Sequence, residues 1–441
     1  MARPLKIGLY SPFFGSTIGG GEKYFGVTAE AVHQAFPEHD VEIVTPVPVD
    51  AAIYEQRLKL DLSGIRMVAT NRRITSLHRV LNSVPRLRLY RDLFLSAQAV
   101  GYTRNYDLYL AMVYVIPLFS KARRGVMLCQ FPYRRGPWMR KRHPLYGLYT
   151  LPYRLLRPLM LGDEVESFQD IICQSDYVAR WIATYWDRRA AVINPPIDIP
   201  SAEPDWSKKS KTILSVGRFF AGGHTKRHDL MVSAFRNLCD QGLRGWELHL
   251  AGSVHRERHN AGYFEKIEAL ASGYPIVFHP DARYEEVQDL YDRAAIYWHA
   301  AGYGANAHAD PDLFEHFGMT TAEAMAHGTV PVVIGSGGQP EVVRDGVDGY
   351  LWTTLEQLKS RTLALTADEG LRTRLGVQAR RASHRFSRHE FKRRMVASLR
   401  PVIEALEAEV SPTAQETGGT QPQRQRDAQD RKPQREAPTI R

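Results

Sequence analysis

The amino-acid sequence predicts an α/β chain of two doubly wound parallel sheets facing each other across a deep cleft, and three observations carry that expectation. Its 441 residues are too many for one ordinary core and suit two domains of roughly 200 residues each. Short apolar runs alternate with amphipathic helical stretches in both halves, the rhythm of a parallel sheet. That rhythm breaks at Asn194-Pro195-Pro196 and in the polar, turn-rich stretch 200–211, and then restarts. The expected division is therefore a first domain over 1–199, a second over 200–385, a helix over 386–410 that packs on the second domain or turns back onto the first, and a disordered tail over 411–441. The tail is rich in Gln, Arg, Pro, Thr and Asp and almost lacks large apolar residues.

In order along the first half, Lys6 to Tyr10 reads as a strand, Glu22 to Phe36 as a helix and Val41 to Thr45 as a strand. Further strands follow at Asp107 to Met112, Gly125 to Cys129, Asp170 to Cys173 and Ala191 to Ile193, with a helix from Tyr177 to Tyr185. The stretch from Asp50 to Val100 has no period that places an element. In the second half, strands are expected at Thr212 to Val216, Trp246 to Ala251, Ile276 to Phe278, Ala295 to Trp298 and Val330 to Ile334. Helices are expected at Arg227 to Cys239, Tyr284 to Ala294 and Thr321 to His327, followed by a helical region from Leu355 to about Glu409. In such sheets ligands bind beyond the carboxyl ends of the strands, so the cleft between two facing sheets is the expected site.

Composition excludes several classes. A hydrophobic fraction of 44%, with 24% charged residues and no apolar run of membrane-spanning length, fits neither a polytopic membrane protein nor a disordered chain. Cys129, Cys173 and Cys239 have neither disulfide-framework nor metal-ligand spacing. The N-terminus lacks the long apolar region of an export signal, so the expected location is cytoplasmic, with a peripheral seat on a membrane as an option. The net charge of +10 is local: residues 121–160 hold ten cations and no acid. The same window carries Phe131, Tyr133, Trp138, Tyr146, Tyr149, Tyr153 and many leucines, a mixture that suits an anionic bilayer surface or, equally, a solvated basic face over a buried apolar side. No recognisable nucleic-acid-binding motif accompanies it, so nucleic acid is not an expected partner.

The most informative segment is Glu315-His316-Phe317-Gly318-Met319-Thr320-Thr321-Ala322-Glu323-Ala324-Met325-Ala326-His327-Gly328-Thr329-Val330-Pro331-Val332. Gly318 and the threonines open a helix, whose first amides favour an electron-rich ligand. Glu315 precedes that helix and Glu323 is placed on its first turn, so two carboxylates flank one helix N-terminus. Thr320 and Glu323 also have capping-box spacing, which leaves open that Glu323 pairs only with the backbone.

With its seven intervening residues, this pair resembles the signature of retaining glycosyltransferases of family 4, which have the two-domain GT-B fold. Glu-His-Phe-Gly followed by Glu-Ala-Met-Ala is especially similar to the mannosyltransferases that extend dolichol-linked oligosaccharides. The resemblance implies that Glu315 contacts the donor sugar and Glu323 the nucleotide ribose, with the amides of Gly318, Met319 and Thr320 facing sugar and phosphates. Gly217-Arg218, closing the strand from Thr212, and Lys226 resemble the family's arginine and lysine that hold the two phosphates; Arg227 competes with Lys226 for that place. Gly19-Gly20-Gly21 fails as a dinucleotide fingerprint because Tyr24 stands where the last glycine would be, which disfavours a nicotinamide enzyme. It is similar instead to the family's glycine loop, with Gly20 and Gly21 meeting the donor diphosphate.

Gln130 stands where the family often has a histidine near the reacting sugar, and can hydrogen-bond a hydroxyl but not act as a base. His299 resembles a histidine of the lipid-linked-oligosaccharide enzymes, with a structural role as the alternative. His308 and Asp310 lack a third ligand by spacing, and neither a catalytic metal nor another cofactor is expected. The function so implied is retaining transfer of a sugar, with GDP-mannose preferred as donor, to a glycan or lipid-linked hydroxyl. A sugar-nucleotide epimerase of the same fold, a catalytically silent membrane-associated scaffold and a glycosidase are the alternatives; the last leaves the phosphate-binding cations without a purpose.

Overall fold

The computed structural model describes residues 3–15, 18–45, 48–69, 93, 97, 99–114, 117–134, 144–222, 225–254 and 262–411. Beyond Ser411 the predicted tail, and part of the basic window including Trp138, lie outside the described residues.

Two parallel sheets are present. The first contains β1 (Lys6–Tyr10), β2 (Asp40–Thr45), β3 (Arg66–Ala69), β4 (Leu108–Tyr114), β5 (Arg124–Phe131), β6 (Asp170–Cys173) and β7 (Ala191–Val192), in the order β3-β2-β1-β4-β5-β6-β7. The second contains β8 (Ser210–Val216), β9 (Glu247–Gly252), β10 (Ile276–Pro280), β11 (Ala294–His299), β12 (Val330–Ile334) and β13 (Tyr350–Trp352), in the order β10-β9-β8-β11-β12-β13. In register, Ile7 lies beside both Val41 and Leu108, and Ile296 beside both Ile213 and Val330, so each sheet is apolar at its centre. The strand order reverses between β1 and β4 and between β8 and β11, and the crevices at these switch points are where such sheets bind ligands.

The helices of the first half are α1 (Gly20–Ala35), α2 (Ala51–Leu58), α3 (Pro144–Leu161) and α4 (Asp176–Trp186). Those of the second are α5 (His228–Asp240), α6 (Tyr263–Ala271), α7 (Tyr284–Arg293), α8 (Met319–Ala326), α9 (Gln339–Val342), α10 (Leu355–Ala367), α11 (Glu369–Ser383) and α12 (Arg388–Val410). Both α2, whose first turn is capped by Asp50, and β3 lie in the stretch that the sequence left unplaced. Helix α1 starts two residues earlier than expected, at Gly20, and α8 starts at Met319, so Glu323 is its fifth residue and not on its first turn.

The last helix does not pack on the second domain. Beyond Ser387, α12 buries Phe391, Met395, Leu399, Ile403 and Leu406, spaced by three or four, in the same core as Leu5, Ile7, Tyr24 and Val27. Tyr24 and Phe391 meet edge to face at 5.1 Å, and Lys392 Nζ reaches Glu30 at 3.1 Å. Burying each large apolar side chain contributes roughly 1.5–3 kcal/mol, so this stripe determines where the helix goes.

Polar contacts join the two halves. Ser175, which caps α4, donates its hydroxyl to the His316 carbonyl. The first amides of α4, of Asp176 and Tyr177, donate to the Glu341 carboxylate at 2.8 and 2.7 Å, so an acid of the second domain occupies the positive end of a helix of the first. Phe131, at the end of β5, stacks on the His316 ring at 4.4 Å.

Candidate active site in the cleft

The site forms where β1, β8 and β11 end. After β11, the chain passes through loops to Glu315 and then enters α8 through Gly318, whose φ of 113° lies in the left-handed region. A Cβ at Gly318 would also lie 2.7 Å from the side-chain nitrogen of Gln339, so both conformation and space require glycine. The peptide of Glu315 is fixed from behind by the Gly338 amide, which donates to its carbonyl at 2.7 Å.

The Glu315 side chain, only 9% exposed for the residue, is held by His299 and Lys226. His299 Nε2 lies 2.9 Å from its Oε2, and Lys226 Nζ forms an ion pair with the same oxygen. Burial lowers the pKa of His299 while Glu315 pulls it back up, with burial winning. Its Nδ1 is buried without a partner among the described residues. His299 thus belongs to the cleft, bonded to the first of the two glutamates.

Lys226 rather than Arg227 faces Glu315. Arg227 takes a left-handed backbone conformation at the start of α5, with φ at 58°, and its guanidinium turns to the Tyr303 carbonyl and Asp229. Arg218, after β8, is exposed and forms no hydrogen bond or ion pair with a described residue. Burial and the nearby Asp312 raise the pKa of Tyr114, from the first domain, while Arg218 lowers it, which places Arg218 at the domain boundary.

Glu323 does not close a capping box, since α8 has no side-chain cap. Its Oε1 lies 3.3 Å from Lys23 Nζ of α1, and the Tyr291 hydroxyl donates to its Oε2 at 3.4 Å. Lys23 also reaches Asp198 Oδ2 at 2.9 Å; Asp198 in turn accepts from the Tyr284 hydroxyl at 3.1 Å and pairs with Arg388. The sequence did not single out Lys23, though it stands two residues after the glycine loop.

Across the cleft Gly20 approaches α8 so closely that a Cβ there would lie 2.7 Å from Met319 Sδ. Gly21 has no such neighbour: a Cβ would meet nothing within 4 Å. Thr320 accepts a hydrogen bond from the Tyr297 hydroxyl at 2.7 Å, which turns its side chain toward β11. Gln130, beside the stacked Phe131, has its side-chain nitrogen buried and unpartnered among the described residues. Gln339 was missed as a candidate; both its amide atoms are buried and unpartnered among the described residues, next to Gly318.

His308 and Asp310 are exposed. Among the described residues the grouping with metal-ligand proximity is Glu38, His39 and Glu407, where α12 crosses the first domain. Chemically, then, the cleft presents a carboxylate restrained by a cation and an imidazole, an uncommitted guanidinium and the open amides of a helix. These are the groups needed to orient a polyhydroxylated ligand and offset the charge of a phosphate.

Residues 198–382 match the family described as glycosyl transferases group 1. The GDP-Man:Man(3)GlcNAc(2)-PP-Dol alpha-1,2-mannosyltransferase of Neurospora crassa is 28% identical over 244 residues, covering 51% of this chain and 41% of that protein. The protein of the same name from Xenopus laevis is 24% identical over 343 residues, 71% of this chain and 66% of that one. The chain thus spans 41–66% of the length of these two relatives. Among solved structures, sucrose-phosphate synthase from Thermosynechococcus elongatus superposes with a TM-score of 0.63 at 16% identity, over 91% of this chain and all (100%) of that one. Anabaena Alr3699/HepE in complex with UDP and glucose gives a TM-score of 0.59 at 15% identity, over 90% and 99% of the two chains. At these identities the structural likeness is one of fold.

Proposed function

Because this chain has the GT-B fold and carries a group 1 glycosyl transferase domain over residues 198–382, we propose that it is a retaining glycosyltransferase. It takes a sugar from a nucleotide-diphosphate donor, GDP-mannose by preference, and places it on a hydroxyl of a glycan or lipid-linked acceptor. The observation that carries this reading is Glu315, pinned by Lys226 and His299 ahead of the α8 amides.

In this reading Glu315 orients the donor sugar, and Glu323 takes the ribose once Lys23 yields it. Arg218, Lys226 and the amides of Gly318, Met319 and Thr320 stabilise the charge that develops on the leaving diphosphate. The bond from the anomeric carbon to phosphate oxygen breaks as the bond to the acceptor oxygen forms on the same face. The acceptor proton passes to the departing phosphate oxygen, so no side-chain base is required and Gln130 serves as a hydrogen-bonding contact. The products are the extended acceptor and a nucleoside diphosphate.

A membrane-proximal acceptor is favoured by α3. Leu151, Leu155 and Leu159 recur at every fourth residue and are 45%, 62% and 82% exposed, in a helix that carries no acid. No helix among the described residues is long and apolar enough to cross a membrane, so the proposed contact is peripheral.

Calorimetric titration with GDP-mannose, UDP-glucose, UDP-N-acetylglucosamine and ADP-glucose tests the donor, with GDP-mannose expected to bind and Arg218→Ala to weaken it. Release of altered sugar nucleotide without nucleoside diphosphate would instead indicate the epimerase. Binding to phosphatidylserine vesicles should fall in Leu155→Glu/Leu159→Glu; unchanged binding would remove α3 from the membrane contact.

A further inference from the structure

Helix α4 buries one face in the first domain and carries a partly exposed aromatic border beside it. Val178, Ile182 and Trp186 are buried in the core of the first domain, which accounts for the fold of the helix. Tyr177, buried in the same core, and the half-buried Trp181 and Tyr185 form the border stripe, again one residue in four, whose rings follow one another at 6.5 and 5.1 Å. This stripe lines a groove of about 800 Å³ whose opposite wall includes Ala307 and His308 of the second domain.

The ends of the groove are polar. Toward solvent, Arg134 spans the domains: its Nε donates to the Tyr185 hydroxyl at 2.9 Å and its Nη2 to the His308 carbonyl at 3.2 Å. Arg180 is exposed beside the same stripe. At the inner end the Tyr177 hydroxyl donates to the Pro311 carbonyl at 2.7 Å, and the chain from Pro311 leads within four residues to Glu315. The groove therefore lies at the domain boundary, one hydrogen bond from the loop that leads to Glu315.

We propose that this groove is an acceptor subsite that binds a short oligosaccharide, with pyranose rings stacked on Trp181 and Tyr185 and hydroxyls bonded to Arg180 and the His308 edge. The proposal rests on the transferase reading for its role, but the binding itself does not. A sugar ring has an apolar C–H face and a rim of hydroxyls; an aromatic ladder with guanidinium groups along its border matches both. The volume is that of a ligand site rather than a packing defect.

The test uses the full-length protein and linear trisaccharides of mannose, glucose and N-acetylglucosamine, followed by saturation-transfer NMR at about 10 mM sugar, where millimolar affinities register. At least one trisaccharide should bind without nucleotide, weaken at least about tenfold in Trp181→Ala, as for loss of a central aromatic anchor, and recover in Trp181→Phe. GDP affinity should stay within about twofold in both variants, since Trp181 lies outside the donor groups. No trisaccharide bound by the unaltered protein, or equal binding by Trp181→Ala, would overturn the subsite. Failure of every sugar nucleotide to bind while the trisaccharide still does would sink the transferase reading and leave the groove standing.

Discussion

Lys23 of α1 places its ammonium 3.3 Å from the Glu323 carboxylate and 2.9 Å from that of Asp198, so one nearly buried cation of the first domain neutralises an acid of the second and one at the junction between the two. Removing Lys23 leaves Glu323 without its cation and Asp198 with Arg388 alone. Lys23→Met should therefore lower stability by about 2–3 kcal/mol, less than for a fully buried pair because both acids keep some solvent. Urea unfolding of the two proteins side by side measures it.

Asp198 gives that junction a pH dependence. Burial alone would raise its pKa, but Lys23 and Arg388 outweigh burial and hold the carboxyl below the usual range. A folded value below the unfolded one contributes stability that is fully present above the unfolded carboxylate pKa of about 3.9 and is lost as pH falls through the folded value. The urea midpoint should fall as the pH is lowered from about 5 toward 3, and less steeply in Asp198→Asn.

At the reacting end, Glu315→Gln keeps the shape but removes the charge that pairs with Lys226. Turnover should drop by about 10²–10³, the range for loss of a preorganised electrostatic group, and Arg218→Ala should cost about 2–4 kcal/mol in kcat/KM. Steady-state kinetics with the donor fixed by calorimetry checks both; an Arg218→Ala enzyme with unimpaired kcat/KM would remove that residue from the diphosphate site.

Gly318→Ala combines a left-handed φ with a Cβ driven onto the Gln339 amide. The expected destabilisation is about 1–3 kcal/mol, and donor affinity should fall with it because the α8 amides are displaced. Thermal unfolding and calorimetry report the two effects separately.

Met395→Ala in α12 should destabilise by about 2–5 kcal/mol, because the side chain is fully buried against the first domain. If α12 packed on the second domain alone, limited proteolysis of this variant would leave the first domain protected; cleavage of the first domain is the expected result.

Much of this was legible in the residues. Lys6 to Tyr10, Asp170 to Cys173 and Val330 to Ile334 are strands with the predicted ends, because each is a short apolar run bounded by polar or turn residues. Glu315 and Lys226, 89 residues apart, were both singled out and do meet. The choice of Lys226 over Arg227 was not legible, since it depends on the backbone turn at Arg227. Helix α2, with 8 residues, and β3, with 4, are too short for a period to declare itself. The pairing of Lys23 with Glu323 and of Glu341 with the end of α4 joins residues whose nearness is created only when the domains dock. An amphipathic stripe shows that α12 must bury one face, but not which domain receives it.

That return has a consequence during synthesis. The strands of the first domain begin at Lys6, yet five of its core side chains, from Phe391 to Leu406, are translated after the whole of the second domain. The usual N-to-C order, in which each domain is finished before the next begins, is closed to this chain. Its first domain must wait, with an apolar flank beside α1 uncovered, until the second has been translated, and a nascent chain stalled anywhere before Phe391 would present that flank to chaperones.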